Sequence, residues 1–430
     1  MIRQIHISNL KFDLKPSLVI SEHDSVCVIG TNLEILPEEH NLEEFLKSKE
    51  IEIIETKNGL RIMSGSYIGS AEFSNFILVV NPKFTRLENI GKLIDYAYEI
   101  EDKDILDYQI KFNENENQPM ELIIQIFVNQ CKKLLRHGLS KSYRIHQDSS
   151  SFLKGKLLLQ QQIKNQAKLN LQFSCEFDEF TENITENQII LYTLDRCYRL
   201  TSRKSTIQKI IHQLDAEVEL KQIGIEDFKK IQYTRLNAHY KKPHDLAKLI
   251  LKHLGLLDFK KQSASFVVPY FIPMFQVFED FLAQLFDDKY TLTIARQVSR
   301  VGWKVNTVPS SIKPDIITYS SKRPENGSEI SIIDAKYMTG SKFGSNKEQF
   351  QIAFYLNDYK KKTGYAILPL SHDKVEDREQ EWIAPNQAIK IRVRFIDIDK
   401  ILDLLYSSSD KSTEISEYLE NLVPIEPILN

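Results

Sequence analysis

Two stretches decide the fold of this chain: Pro314-Asp315-Ile316-Ile317 and Ile330-Ser331-Ile332-Ile333-Asp334-Ala335-Lys336. Both read as strands, because each is rich in isoleucine and a polar segment, 322–328, separates them. Side chains alternate along a strand, so Asp334 and Lys336 point to the same side. If the two strands pair antiparallel, the beginning of the first lies beside the end of the second. The pattern therefore predicts that Asp315 and Asp334 meet at one edge of a sheet.

Two carboxylates this close predict a cation between them, because like charges repel unless a positive charge intervenes. Oxygen ligands suit Mg²⁺, with Mn²⁺ as the alternative. Such a metal lowers the pKa of a bound water and stabilises charge that builds on a phosphoryl oxygen. Lys336 would then orient the attacking water or steady the pentavalent phosphorus. A Pro-Asp pair alone often just begins a turn; the apolar strands on either side of the motif carry the prediction.

Composition limits the protein class. The chain has 430 residues, of which 42% are hydrophobic and 27% charged, enough for two or three domains. The net charge of −3 means that any nucleic-acid contact must use a local basic face. The 4 cysteines form no C-x-x-C pair, which argues against a zinc site or a disulfide scaffold. No apolar leader follows Met1 and no apolar run approaches membrane length, so we expect a cytoplasmic protein without a membrane span.

Three regions differ in their patterns. Residues 1–112 contain many short apolar strands, and the turn Lys57-Asn58-Gly59 predicts a hairpin between two of them. Residues 113–262 show mainly helical periodicity, and residues 263–430 mix helices and strands. We therefore expect an α+β multidomain protein. Its parts would be a β-rich N-terminal partner-docking module, a mainly helical middle region and a C-terminal α/β domain with a mixed central sheet.

Several further stretches carry a resemblance to a known family. In chain order they are Val80-Asn81-Pro82-Lys83-Phe84, His137-Gly138-Leu139-Ser140-Lys141-Ser142-Tyr143, Leu153-Lys154-Gly155-Lys156-Leu157, Phe177-Asp178-Glu179-Phe180, Arg235-Leu236-Asn237 with Tyr240, and Met274 through Phe281. The motif Pro314-Asp315 with Asp334-Ala335-Lys336-Tyr337 resembles that of the PD-(D/E)xK nuclease superfamily. Gln351 followed by Tyr355 is similar to the glutamine helix found after that motif in many relatives. In this order the series resembles the McrC family, the nuclease subunit of McrBC-type 5-methylcytosine restriction systems.

The resemblance implies roles for individual residues. Asp315 and Asp334 would bind Mg²⁺ in a C-terminal PD-(D/E)xK endonuclease domain, with the carbonyl of Ala335 as an extra ligand. Lys336 would be the catalytic lysine. Gln351 would position water, phosphate or Lys336 rather than bind metal. Two readings stay open for Glu279: it completes the acidic metal set, as a helix glutamate does in some relatives, or it is a helix-surface acid.

The resemblance also implies a partner, because the N-terminal region of the family docks into a ring of McrB-type AAA+ GTPase subunits and stimulates them. The chain has no G-x-x-x-x-G-K-[ST] loop, so a motor must come from another protein. The predicted function is that of a Mg²⁺-dependent DNA endonuclease subunit acting on double-stranded DNA, methylated or plain. Basic side chains on a local surface would guide the phosphate backbone of the DNA. They are Arg296, Arg300, Lys304, Lys313 and Lys342.

Two alternatives remain open at this point. One is a free-standing repair or recombination nuclease of the same superfamily, which would cut DNA with Mg²⁺ and without a GTPase. The other is an inert nuclease fold that serves only as a non-catalytic activator of an AAA+ ring. The presence of Asp315, Asp334 and Lys336 together speaks against the second alternative.

Overall fold

The computed structural model describes most of the chain, and contacts divide that chain into two compact units. One unit combines Met1–Leu122 with His253–Asn430, and the other is Ile123–Lys252. The predicted boundaries after residues 112 and 262, and the polar segment 322–328, lie outside the described residues. The described residues are 3–6, 17–29, 35–98, 118–168, 172–201, 204–253, 269–296, 300–305, 308–319, 329–343, 346–371, 379–384, 389–407 and 409–424.

The N-terminal part of the first unit is built from short strands. Two helices accompany the strands. In chain order the elements are β1 (Arg3–His6), β2 (Ser17–Ser21), β3 (Ser25–Ile29), α1 (His40–Ser48), β4 (Glu52–Thr56), β5 (Gly59–Met63), β6 (Tyr67–Glu72), β7 (Ile77–Asn81) and α2 (Ile90–Ala97). Buried and less buried residues alternate along β2, β3 and β5, as expected of strands with one face in a core. The predicted hairpin joins β4 to β5, and its Gly59 adopts φ +143. A Cβ there would meet the carbonyl oxygen of Val28 at 2.0 Å, so only glycine fits.

Helices dominate the second unit and the segment leading into it. The elements are α3 (Gln118–His137), β8 (Ser142–Ser150), β9 (Lys156–Leu157), α4 (Leu159–Ala167), β10 (Phe173–Thr181), α5 (Thr185–Tyr198), α6 (Lys204–Leu214), α7 (Ile225–Phe228) and α8 (Lys241–His253). The strands form a sheet in the order β8-β10-β9. Tyr240 is fully buried; its hydroxyl accepts the Ser140 N–H at 2.9 Å and donates to Asn187 at 2.5 Å. This network holds together segments far apart in sequence.

The C-terminal part of the first unit contains the motif strands. Its elements are β11 (Tyr270–Pro273), α9 (Met274–Lys289), β12 (Thr293–Arg296), β13 (Arg300–Val305), β14 (Val308–Ile312), β15 (Ile316–Tyr319), β16 (Glu329–Ala335), α10 (Asn346–Asp358), β17 (Thr363–Pro369), β18 (Gln380–Ile383), β19 (Lys390–Ile396), α11 (Ile398–Leu405) and α12 (Ser412–Leu422). Six of these strands form a sheet in the order β12-β15-β16-β17-β19-β18. β15 pairs antiparallel with β16, while β16 and β17 run parallel, so the sheet is mixed.

The strand β11 belongs to a sheet of the N-terminal part. That sheet has the order β11-β6-β7-β2, and Tyr270 of β11 pairs with Ser70 of β6. The helix α9 follows β11 directly, and the Met274 N–H donates to the carbonyl of Ser66 at 2.9 Å. The N-terminal strands and the helix that leads into the mixed sheet are therefore joined by backbone hydrogen bonds, which sequence analysis did not predict.

The architecture mixes helices with several sheets, which confirms the α+β class. The antiparallel pairing of the two motif strands is also confirmed, with Ile316 opposite Ile333. A core of buried apolar residues, among them Ile332, Leu356 and Leu368, packs between α10 and the mixed sheet. Along the stretches that the structure describes, no helix has both the length and the apolar character needed to cross a membrane.

Candidate active site

Strand pairing brings two aspartates to one end of the mixed sheet. Asp315 directly precedes β15, and Asp334 lies near the end of β16, so the register of the two strands puts them side by side. The Asp315 Oδ2 atom accepts the Ala335 N–H at 2.8 Å, which joins one aspartate to the backbone beside the other. The Asp334 side chain is only 1% exposed. A buried pair of carboxylates therefore forms the centre of the site.

Lys336 and two side chains of α10 complete this arrangement. The Lys336 Nζ lies 2.7 Å from Asp334 Oδ2, and it donates to Gln351 Oε1 at 2.8 Å. Gln351 in turn donates through Nε2 to the Tyr355 hydroxyl at 2.8 Å. Gln351 and Tyr355 are four positions apart, so they lie on one face of the helix. The ammonium group is thus held between a strand carboxylate and a helix amide.

The electrostatics of the aspartates follow from burial and from like charge. Burial, followed by the charges of Asp334 and Glu279, raises the pKa of Asp315 to about 8, although the Ala335 N–H and Lys336 oppose the shift. Burial also raises the pKa of Asp334, although Lys336 opposes this. For Lys336, burial lowers the pKa, but the charge of Asp334, the hydrogen bond to it and the charge of Asp315 together outweigh burial, and the net pKa is raised. Burial and the neighbouring carboxylate therefore favour a proton on Asp315 near neutral pH, even with the Lys336 ammonium close by.

The donor set suits a hard divalent cation. It offers two carboxylates and the nearby backbone carbonyl of Ala335, all oxygen ligands of the kind that Mg²⁺ and Mn²⁺ prefer. A cation there would relieve the repulsion that raises the pKa of Asp315. Glu279 on α9 is near enough for its charge to act on Asp315. Within the described ranges, however, no three His, Cys, Asp or Glu side chains are grouped closely enough to hold a metal ion.

Comparison with known proteins places this chain in a family. The family described as McrBC 5-methylcytosine restriction system component matches residues 62–369, more than two thirds of the chain and including the whole site. The chain belongs to the McrBC family. No curated protein matches it.

Two solved structures are similar to this chain, and the first of them shows a similar fold. One is a chain from a refined half-complex of the tetradecameric assembly of Thermococcus gammatolerans McrB AAA+ hexamers with bound McrC. The identity is 19% and the TM-score 0.53, with 95% of this chain and 100% of that chain covered. A second is the Thermococcus gammatolerans McrBC complex solved by cryo-EM, at 22% identity and TM-score 0.42, covering 63% of this chain and 86% of that chain.

The basic residues of this McrBC-family chain that were predicted to guide DNA differ in their surroundings. Arg296 donates to Gln284 at 2.6 Å and to Asp287 at 3.1 Å, both on α9. Lys342 donates to the carbonyl of His23 at 3.2 Å, and burial lowers its pKa. Lys313, two residues before Asp315, is exposed. The side chains of Arg300 and Lys304 lie outside the described residues.

Two residues beside the site were missed as functional candidates in the sequence. Tyr355 received no role, although its spacing from Gln351 was a usable signal. Glu22 received no role either, yet it is fully buried and accepts a hydrogen bond from Tyr337, the residue after Lys336. No local pattern could have found this contact, because the two residues are 315 positions apart.

Proposed function

We propose that this chain is the nuclease subunit of a McrBC-type restriction system and hydrolyses phosphodiester bonds of double-stranded DNA with Mg²⁺. The observation that carries the proposal is the convergence of Asp315, Asp334 and Lys336 at one sheet end, in a chain of the McrBC family. Three features support a PD-(D/E)xK arrangement. They are the acid Asp315 at the start of one strand, Asp334 and Lys336 at the end of the neighbouring strand, and the helix that carries Gln351.

The side chains would divide the work of hydrolysis. Bound Mg²⁺ supplies a more acidic water and stabilisation of negative charge on the phosphoryl oxygen. Asp315 and Asp334 would hold the cation, and the Ala335 N–H keeps the Asp315 carboxylate oriented. Lys336 would present its ammonium to the attacking water or to the phosphate oxygen. Gln351, bonded to Lys336 Nζ, limits where that ammonium can lie.

The proposed partner is a McrB-like AAA+ GTPase ring. Support comes from the McrBC family match and from the likeness to a structure described as McrB AAA+ hexamers with bound McrC. The sequence itself lacks a P-loop, so energy from nucleotide hydrolysis must come from another protein. The backbone chemistry at Asp315 and Asp334 reads no base, so we assign the choice of methylated or plain DNA to the complex with the partner.

The decisive experiment compares wild type, Asp334→Ala and Lys336→Ala, each assembled with a McrB-like AAA+ GTPase. We expect both variants to lose DNA cleavage by at least about 100-fold, because one removes a proposed metal ligand and the other removes the proposed catalytic lysine. Partner binding and nucleotide turnover should stay at the wild-type level. A matched control is Lys229→Ala, which removes an exposed lysine paired with Glu226 in the second unit.

Three outcomes would change the proposal. Undiminished cleavage by Asp334→Ala and Lys336→Ala would remove the assigned site. Efficient cutting by the lone wild-type chain with Mg²⁺ would favour a free-standing nuclease. A wild-type complex that turns over nucleotide but never cuts methylated or plain DNA would favour the non-catalytic activator.

A further inference from the structure

Glu22 is a carboxylate in an unusual place. It lies in the turn between β2 and β3 and is 0% exposed, and its own N–H continues the β2–β7 ladder by donating to Asn81 at 2.9 Å. Its Oε1 atom accepts the Lys83 N–H at 2.8 Å and the hydroxyl of Tyr337. A fully buried carboxylate is costly unless hydrogen bonds hold it. An apolar residue would fill this space at lower cost, so a specific role for the carboxylate must be considered.

Tyr337 links this carboxylate to the site. It directly follows Lys336 and is itself buried, with its ring 5.0 Å from that of Phe84 and 5.4 Å from that of Phe278. The backbone here is fixed on the other side as well, since the Lys336 N–H donates to the carbonyl of Ile367 at 2.9 Å. Phe278 directly precedes Glu279 on α9. A shift of the Tyr337 ring would therefore move the backbone that carries Lys336.

A second contact joins the same two segments. Lys342 Nζ donates to the carbonyl of His23 at 3.2 Å, and the His23 ring lies 6.0 Å from that of Tyr337. Asp24 in the same turn pairs with Lys83 at 2.8 Å, which fixes the residue whose N–H holds Glu22. The turn formed by residues 21–24 is thus attached to the segment 337–342 at two points. Two attachments restrict rotation as well as translation of that segment.

We propose that Glu22 is a positioning residue for Lys336. Through the Tyr337 hydroxyl it fixes the backbone at the end of β16, so that the Lys336 ammonium stays between Asp334 and Gln351. This inference rests on the proposed nuclease function. It goes beyond that function because it assigns a residue of the N-terminal part, more than 300 positions away, to the geometry of the cutting end.

The test uses Tyr337→Phe, which keeps the ring and removes the hydroxyl. The matched control is Tyr406→Phe, because the Tyr406 hydroxyl also donates to a buried carboxylate, Asp95 on α2, which is not one of the site residues. In the complex with its NTPase, Tyr337→Phe should lower kcat for cleavage about tenfold with unchanged affinity for DNA and unchanged nucleotide turnover. Tyr406→Phe should keep wild-type kcat, although its thermal midpoint should fall by about as much as that of Tyr337→Phe.

Variants of Glu22 separate positioning from simple packing. Glu22→Gln keeps an oxygen that accepts the Tyr337 hydroxyl, so its kcat should stay within about threefold of wild type, while Glu22→Ala should fall about tenfold. Because both residues act through one hydrogen bond, Glu22→Ala combined with Tyr337→Phe should lose no more than either change alone. Wild-type kcat in Tyr337→Phe, or losses that multiply in the double variant, would overturn the proposal.

Hydrogen exchange gives a readout that does not depend on cleavage. Peptides covering residues 331–338 should exchange faster in Tyr337→Phe and in Glu22→Ala than in wild type, and at the wild-type rate in Tyr406→Phe. Unchanged exchange in all variants would overturn the positioning role even if the complex never cuts DNA. A wild-type complex that does not cut would instead remove the proposed function, so the two failures are distinguishable.

Discussion

Two buried acidic sites adjoin the same short segment, residues 334–337, and they are held in different ways. Asp334 lies beside a like charge, Asp315, and is paired with the Lys336 ammonium at 2.7 Å. Glu22 is held by a backbone N–H and by the Tyr337 hydroxyl, which are neutral donors. The first arrangement raises the pKa of Asp315, so that near neutral pH the pair of carboxyl groups needs either a proton or a bound cation. The second arrangement has directional hydrogen bonds, and in the proposed role it positions the backbone at Lys336 instead of supplying charge to the reaction.

The largest effect is expected from a substitution that removes a charge at the first site, that of Asp315 and Asp334, without changing the shape of the side chain. Asp315→Asn keeps an oxygen that accepts the Ala335 N–H but removes one negative charge, so cleavage should fall by roughly three orders of magnitude. Because burial and like charge raise the pKa of Asp315, the neutral variant should unfold at the same temperature as wild type or higher. Plasmid cleavage and thermal denaturation in a chelator measure the two effects.

Metal addition provides the control for this prediction. Mg²⁺ at about ten times its Kd should stabilise wild type by about 1.4 kcal/mol, and a chelator should reverse this. Asp315→Asn should gain little, whereas Asp195→Asn, which removes a helix-surface carboxylate paired with Arg199 in the second unit, should gain as much as wild type. Equal stabilisation of wild type and Asp315→Asn would mean that the cation binds elsewhere.

The next effect concerns the second site and depends on pH. Burial raises the pKa of Glu22 from 4.5 to about 7, although the Lys83 N–H and the Tyr337 hydroxyl oppose this. The folded chain therefore keeps a proton that the unfolded chain releases, so this stability is complete below pH 4.5 and is lost as pH rises through 7. Relative to Glu22→Gln, wild type should lose about 2 kcal/mol between about pH 5.5 and about pH 8.

Neighbouring groups set the conditions of that comparison. Burial, followed by the charges of Lys342 and Lys83, lowers the pKa of His23 to about 4, which destabilises the fold as pH falls from 6.5 towards 4. This opposite trend, and the Asp24–Lys83 pair, are common to wild type and to Glu22→Gln. The difference between their denaturant midpoints thus isolates Glu22. Parallel pH profiles would show that Glu22 ionises normally in the folded chain.

The contrast between the two sites also explains what sequence could predict. Asp315 and Asp334 flank two strands that are neighbours in the chain, and isoleucine-rich runs with a polar break predict their pairing. The hairpin at Gly59 is local for the same reason. The pairing of β11 with β6, and the bond between Tyr337 and Glu22, join segments about 200 and 315 positions apart. No periodicity within either segment specifies such a partner, because register between distant strands depends on packing of the whole unit.

The smallest expected effect concerns the side-chain end of Lys336. Gln351 contacts the ammonium directly, whereas Tyr355 acts only by fixing the Gln351 amide. Gln351→Ala should therefore lower kcat about tenfold, and Tyr355→Phe only about threefold, with unchanged DNA affinity in both. A larger loss in Tyr355→Phe than in Gln351→Ala would mean that the tyrosine hydroxyl acts on DNA itself. Tyr337 restrains the backbone of the same lysine, so combining Tyr337→Phe with Tyr355→Phe should multiply the two losses if the restraints are independent.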